Sequence, residues 1–235
     1  MNIQDDYLQT TYSLREHTAE RFLEDHRASY ERRLNTLKSP KNDILHGLTI
    51  LIPSCKKHKE ATNILINELN RQNIKYLVDS RENVDLGTKR QDLYWSCNTE
   101  YALQWDADDW ISGDFAICLS DYIRAYPGVD CINFLEHVVM GDQKTLTRRS
   151  LNFPWSGMRF PNGNYCFSPN TKSIVKTELA QKVIFEKGHQ GEDLAFGRDL
   201  RQYLKSEINL DYIGYYYEYT SEGTATGTNE HQVRK

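Results

Sequence analysis

The sequence predicts an α/β fold, a mostly parallel sheet flanked by helices and preceded by a helical N-terminal appendage. Three observations predict it. Residues 48–54, Leu-Thr-Ile-Leu-Ile-Pro-Ser, form a short and nearly all-apolar run, which suits a strand buried on both faces. A helical stripe through Ala61, Ile64, Leu65 and Leu69 follows, and a second strand-like run at 74–78 ends in Asp79-Ser80. This βαβ pattern builds a parallel sheet whose ligands sit at the carboxyl ends of the strands. A third apolar run, 101–105, ends directly in Asp106-Ala107-Asp108-Asp109.

The remaining elements follow in order. Residues 5–38 are rich in charge and free of Gly and Pro, with an imperfect helical stripe through Leu14, Phe22, Leu23, Tyr30, Leu34 and Leu37. Ser39-Pro40-Lys41-Asn42-Asp43 breaks the pattern. Residues 1–45 therefore read as a helical extension, either a solvated helix or one that packs on the main domain or a second subunit, giving a homo-oligomer. The main domain spans 46–220. A turn leads through Gly87 into a helix carrying Lys89, Arg90, Leu93 and Tyr94. Residues 113–126 read as a helix stopped by Pro127-Gly128. Residues 131–140 read as a strand, turned by Gly141-Asp142 into 144–148. The Gly, Pro, Asn and aromatic residues of 152–170 predict a long functional loop. Helices are expected at 174–187 and 194–203, a last strand at 210–219, and a flexible polar tail at 221–235.

Composition narrows the class. A chain of 235 residues has ample length for a sizeable core. Its net charge of -4 speaks against a dedicated nucleic-acid binder. The 5 cysteines are scattered and lack CxxC spacing, so neither a zinc site nor a disulfide framework is expected. The polar, acidic start of the chain is no signal peptide, and no run approaches a membrane span, so a cytoplasmic protein is expected.

The aspartates carry the chemistry. Carboxylates crowded into four residues repel one another, and a fold places them at a strand end where something positive neutralises them. A divalent cation on a phosphorylated ligand is one source, because hard cations combine one or two carboxylates with substrate phosphates. Capping of the helix near Gly113, or a solvated turn, is the other reading of the same residues.

The ordered set of motifs resembles the family-2-type glycosyltransferases of the GT-A fold, a Rossmann-like architecture. The matching residues are Pro53-Ser54 after the first strand, Asp79 after the second, Gly87-Thr88-Lys89-Arg90 opening a helix, the Asp106 to Asp109 cluster, and Glu192-Asp193 after Gly191. Gln91 stands where the family carries Asn. The resemblance implies that Pro53, Ser54, Asp79, Lys89, Arg90 and Asp106 bind the donor. Asp79 would accept a base N–H, and Lys89 and Arg90 would face the diphosphate or base. Asp108 would ligate Mn²⁺ or Mg²⁺, with Asp106 on the ribose or sharing the metal, Asp109 in support, and His231 as a third ligand. Asp193 would be the general base, since an acceptor hydroxyl is a poor nucleophile, and Glu192 would orient the acceptor. His189 would touch the acceptor or a phosphate. Trp155, Arg159, Phe160 and Tyr165 would line the acceptor loop. The Gln-x-x-Arg-Trp signature of processive synthases is absent, which favours addition of a single sugar.

The implied activity is metal-dependent, inverting transfer of one sugar from a nucleotide-diphosphate sugar, UDP-sugar favoured, to a glycan or lipid-linked acceptor hydroxyl. An alternative acceptor is a hydroxymethylated base of viral DNA, tracked by Lys56, Lys57, Lys59, Arg148, Arg149 and Arg159. A nucleotidyltransferase ranks lower, because Pro53-Ser54-Cys55-Lys56-Lys57 lacks a Gly-rich loop. A non-catalytic sugar-nucleotide-binding or assembly protein is the non-enzyme alternative.

Overall fold

Strand β1 (Leu48–Pro53), buried along its whole length, is the axis on which the N-terminal half is built. It pairs in parallel with β2 (Lys75–Asp79) on one side and β3 (Tyr101–Gln104) on the other, with Pro53 opposite Asp79. Helix α1 (Lys59–Arg71), entered through a 3-10 turn at Lys56–His58, returns the chain from β1 to β2, and α2 (Leu86–Ser96) returns it from β2 to β3. This computed structural model describes residues 47–140, 142–188 and 191–219; the expected extension 1–45, the tail 221–235, His189 and His231 lie outside them.

After β3 come β4 (Trp110–Ile111), α3 (Phe115–Ala125), β5 (Cys131–Met140), β6 (Gln143–Arg149), β7 (Met158–Arg159), β8 (Tyr165–Phe167), β9 (Ile174–Lys176), α4 (Thr177–Ala180), α5 (Glu192–Leu200) and β10 (Glu207–Tyr219). The sheet order is β2-β1-β3-β9-β5-β6-β8-β7, with β10 pairing β5 in parallel and β4 antiparallel. The register of β10 on β5 shifts between Asn209 and Tyr215. The result is a mixed sheet, parallel at β2-β1-β3, flanked by helices.

Alternation along the strands divides the core. Ile50, Ile52, Leu103, Trp105, Phe115 and Tyr215 pack together with Leu65 and Leu69 of α1. Leu51, Ala102 and Val175 face the other way, onto Leu93 and Tyr94 of α2 and Phe196 and Leu200 of α5. Stacked rings of Tyr94, Phe185 and Phe196 join these two helices.

Two expectations are corrected. Residues 174–187 are not a helix: Ile174 and Val175 lie in β9, fully buried between β3 and β5, and only Thr177–Ala180 is helical. An apolar pair in so short a run carries no usable period. Residues 152–170 are not a plain loop, because β7 and β8 extend the sheet edge within them.

Helix α2 is tied to the segment that leads into α5. Asp85 caps it, accepting from the Thr88 amide at 3.0 Å and from the Gly188 amide at 3.1 Å. A Cβ on Gly87 would lie 2.1 Å from the Glu186 carbonyl oxygen, so only glycine admits that backbone. Gln91, the residue that departs from the family pattern, accepts from the Phe185 amide at 2.8 Å. Hydrogen bonds from the Thr88 hydroxyl and amide lower the Asp85 carboxyl to about 2. That stabilisation is complete above the ordinary carboxyl pKa of about 4 and is lost as pH falls through the lowered value. Asp85→Ala is expected to cost about 1 kcal/mol at neutral pH. In urea melts the difference from the parent chain should shrink as pH falls from 4 towards 2; a pH-independent difference would contradict the assignment.

Candidate active site

The carboxyl ends of β1, β2 and β3 gather the residues singled out in the sequence. Asp79 is buried, and its side chain is engaged by Arg81, which also reaches Asp92 at 2.6 Å. Lys89 is buried rather than a surface charge, and its Nζ donates to the Ser54 carbonyl at 2.6 Å. Ser54 Oγ in turn lies 2.6 Å from Thr62 Oγ1 in the first turn of α1. Lys89 therefore ties α2 to the residue that follows β1.

Arg90 is the pivot. Its buried guanidinium donates to Gln104 Oε1 at 2.7 Å and to Asp106 Oδ1 at 2.9 Å, and its Nε faces Glu192 Oε1 at 3.3 Å. It joins the aspartate cluster to the start of α5. Glu192 lies inside, where burial raises its carboxyl despite Arg90. Asp193, its neighbour in the first turn of α5, is half-buried. Gly191, with φ of 78°, adopts the left-handed backbone that starts this helix.

Lys172 is the residue that sequence reasoning missed. From just before β9 its ammonium lies 3.1 Å from Asp106 Oδ2, 3.2 Å from Asp109 Oδ2 and 3.7 Å from Glu136 Oε1. It also donates to the Tyr215 hydroxyl at 2.6 Å, and Tyr215 donates to Asp109. Glu136 is held by Arg149, whose Nε donates to Asn170 Oδ1 at 2.8 Å. Burial alone would raise the Asp106 carboxyl, but Lys172 and Arg90 outweigh it and hold it well below the usual carboxylate range. Asp109 goes the other way. Burial, with Asp106 and Asp108 nearby, pushes it up to about 7 against the pull of Lys172 and Tyr215.

Two side-chain cations of the chain itself, Arg90 and Lys172, answer part of the cluster. Arg90 and Lys172 engage one oxygen each of Asp106, so Asp106 does not fit a direct metal ligand. Asp109 is equally enclosed. Asp108 differs: its side chain is 45 % exposed, with His58 Nδ1 at 3.3 Å from its Oδ2. Among the described residues no group of three or more His, Cys, Asp or Glu side chains forms a complete metal cage. The exposed Asp108 carboxylate fits a divalent cation only if phosphates supply further oxygens, the usual pattern for such ions.

The rest of the expected set is dispersed. Arg149 is buried on Glu136 and Arg148 pairs with Asp211, so neither belongs to a surface that tracks DNA phosphates. Trp155 is exposed, Phe160 packs edge-on against Phe153, and Arg159 lies over the Tyr165 ring at 5.3 Å, all along the β7–β8 edge. A cavity of about 330 Å³ opens on the other flank of Asp108, between α1 and residues 107–113. Pro53, Asp79, Lys89 and Arg90 have no part in its wall. Among the described residues no helix is long and apolar enough to cross a membrane.

A mixed sheet with parallel central strands, flanked by helices, is the arrangement of the GT-A type of glycosyltransferase fold. Solved structures share it. S. aureus TarS 1-349 in complex with UDP-GlcNAc overlaps with a TM-score of 0.56 at 16% identity, over 75% of this chain and 59% of that one. TarS 1-349 in complex with UDP gives 0.54 at 16% identity, over 75% and 61%. The chain thus spans about 60% of the TarS fragment it matches. The mannosyltransferase PcManGT from Pyrobaculum calidifontis, in complex with GDP-Man and Mn²⁺, overlaps less, with a TM-score of 0.45 at 14% identity, over 83% of this chain and 65% of that one. No family model and no curated protein matches the sequence.

Lys172→Met would leave Asp106 and Glu136 without the ammonium between them. Removing one partner of a buried charge cluster costs about 3–5 kcal/mol. Guanidinium unfolding should register a loss of that size; a loss below about 1 kcal/mol would show that water already compensates these carboxylates.

Proposed function

We propose that this chain is a glycosyltransferase that moves one sugar from a nucleotide-diphosphate sugar, a UDP-sugar by preference, to an acceptor hydroxyl with inversion. The observation that carries the reading is the Asp106–Arg90–Glu192 connection. It joins the carboxyl end of β3 to the helix that begins with Asp193, within a fold shared with a UDP-GlcNAc complex. Donor and acceptor chemistry need those two places side by side.

The roles follow from the charges. Asp79 and the Ser54 region border the nucleotide. Asp106, kept ionised by Arg90 and Lys172, accepts ribose or sugar hydroxyls. Asp193 removes the proton from the acceptor hydroxyl as its oxygen forms the new bond to the anomeric carbon. The bond from that carbon to the phosphate oxygen breaks, and the nucleoside diphosphate leaves. Asp193 lies in the first turn of α5. Mn²⁺ or Mg²⁺, held by Asp108 and the donor phosphates, would stabilise the charge developing on the leaving group. A glycan or lipid-linked hydroxyl fits this arrangement better than a DNA base, since Arg148 and Arg149 are already paired. The domain is assigned to residues 46–220, with 1–45 and 221–235 as appendages and 1–45 as a possible contact between copies.

Transfer from a panel of UDP- and GDP-sugars, read by mass spectrometry of extracted acceptors, tests the proposal. Asp193→Asn and Asp108→Asn should each lower kcat by about 10²-fold or more. Unchanged transfer in both variants would overturn the mechanism, and absence of transfer with every donor would favour a sugar-nucleotide-binding protein.

A further inference from the structure

The 3-10 turn Lys56–His58 brings an imidazole to the exposed aspartate, and no motif in the sequence marks it. His58 Nδ1 stands 3.3 Å from Asp108 Oδ2. That is longer than a typical N–H···O bond of about 2.9–3.0 Å. It lies near the roughly 3 Å that separates neighbouring ligands of one octahedral cation with bonds of about 2.1 Å. The backbone of His58 is fixed on both sides: its amide donates to the Cys55 carbonyl at 3.0 Å, and its carbonyl accepts from Thr62 Oγ1 at 2.7 Å. The ring is consequently held at the start of α1, with its side chain 11% exposed.

The state of the ring is also informative. Nε2 is buried and has no hydrogen-bond partner. Among the described residues Nδ1 is thus the ring nitrogen that faces a polar group, the Asp108 carboxylate. Asp106 cannot serve in its place, because Arg90 and Lys172 engage its two oxygens.

We infer that His58, through Nδ1, and Asp108, through Oδ2, are the two protein ligands of a divalent cation whose other positions are filled by the donor diphosphate and water. The inference rests on the proposed nucleotide-sugar chemistry and assigns the imidazole ligand to the β1–α1 turn rather than to His231. An imidazole nitrogen favours transition metals over Mg²⁺, which prefers oxygen. The site should therefore prefer Mn²⁺.

Pulsed electron paramagnetic resonance of Mn²⁺ bound to the full chain with UDP tests this directly. The parent chain should show ¹⁴N coupling from one imidazole. His58→Ala and His58→Gln should abolish it and weaken Mn²⁺ binding on the order of tenfold or more, while Mg²⁺ binding changes less. His231→Ala should keep the coupling. The glutamine variant fills the same space, so loss of coupling in a chain with an unchanged melting curve reports ligation rather than misfolding. If Mn²⁺ binds with UDP but shows no nitrogen coupling, or loses it only in His231→Ala, the inference is overturned and the transferase reading stands. If no Mn²⁺ binds with UDP at all, the metal role in that reading falls, and His58 with it.

Discussion

One ammonium group, that of Lys172, holds the centre of this molecule together. It lies within ion-pair distance of Asp106, Asp109 and Glu136, which come from the end of β3 and from β5. The face of Tyr215 lies 4.0 Å below it and that of Tyr217 5.3 Å away, so β10 closes round the same charge. Its own backbone amide donates to Asn170 Oδ1, the atom that also accepts from Arg149 of β6. Elements far apart in sequence thus share one electrostatic knot. In a poorly hydrated interior such a knot is strongly destabilising unless every charge in it is answered. Strands and loops that supply its members can settle only in the arrangement that answers them.

Arg90 extends the knot to the second half of the site. It is the common partner of Asp106 and Glu192, and α2 on which it rides is clamped to residues 185–188 through Asp85, Gly87 and Gln91. The acidic pair that opens α5 is therefore positioned by the same helix that reaches the end of β1 through Lys89. A change in the tilt of α2 would be felt at both ends.

The parts of this structure legible in the sequence are those with a long, one-sided signal. The run 48–54, the βαβ order and the strand 131–140 are bounded by residues whose burial leaves little choice of conformation. Strands β4, β7, β8 and β9 have two or three residues each, too few for any period, and they form because neighbouring strands leave a gap for them. The aspartate cluster correctly signals a need for positive charge. It does not say from where: the cations that answer Asp106 are Arg90 and Lys172, 16 and 66 positions away along the chain. His58 and Asp108 are likewise 50 positions apart, and a single histidine in a basic turn carries no mark of its partner. Pairings of this kind are properties of the sheet, visible only once β1 and β3 lie side by side.

The register shift in β10 has a consequence for how this fold tolerates length changes. Between Asn209 and Tyr215 the strand slips against β5, and Gly214 passes so close to Phe115 that an added Cβ would lie 2.9 Å from its ring. The slip brings the Tyr215 hydroxyl to Asp109 while Tyr216 packs on Leu135 and Leu146. Side chains alternate between faces along a strand, so removing one residue from 210–213 would exchange the two tyrosines. Backbone pairing could survive such a deletion, but the ring beneath Lys172 would be gone. The last strand thus behaves as a ruler, and an error of one in its count is read at the aspartates.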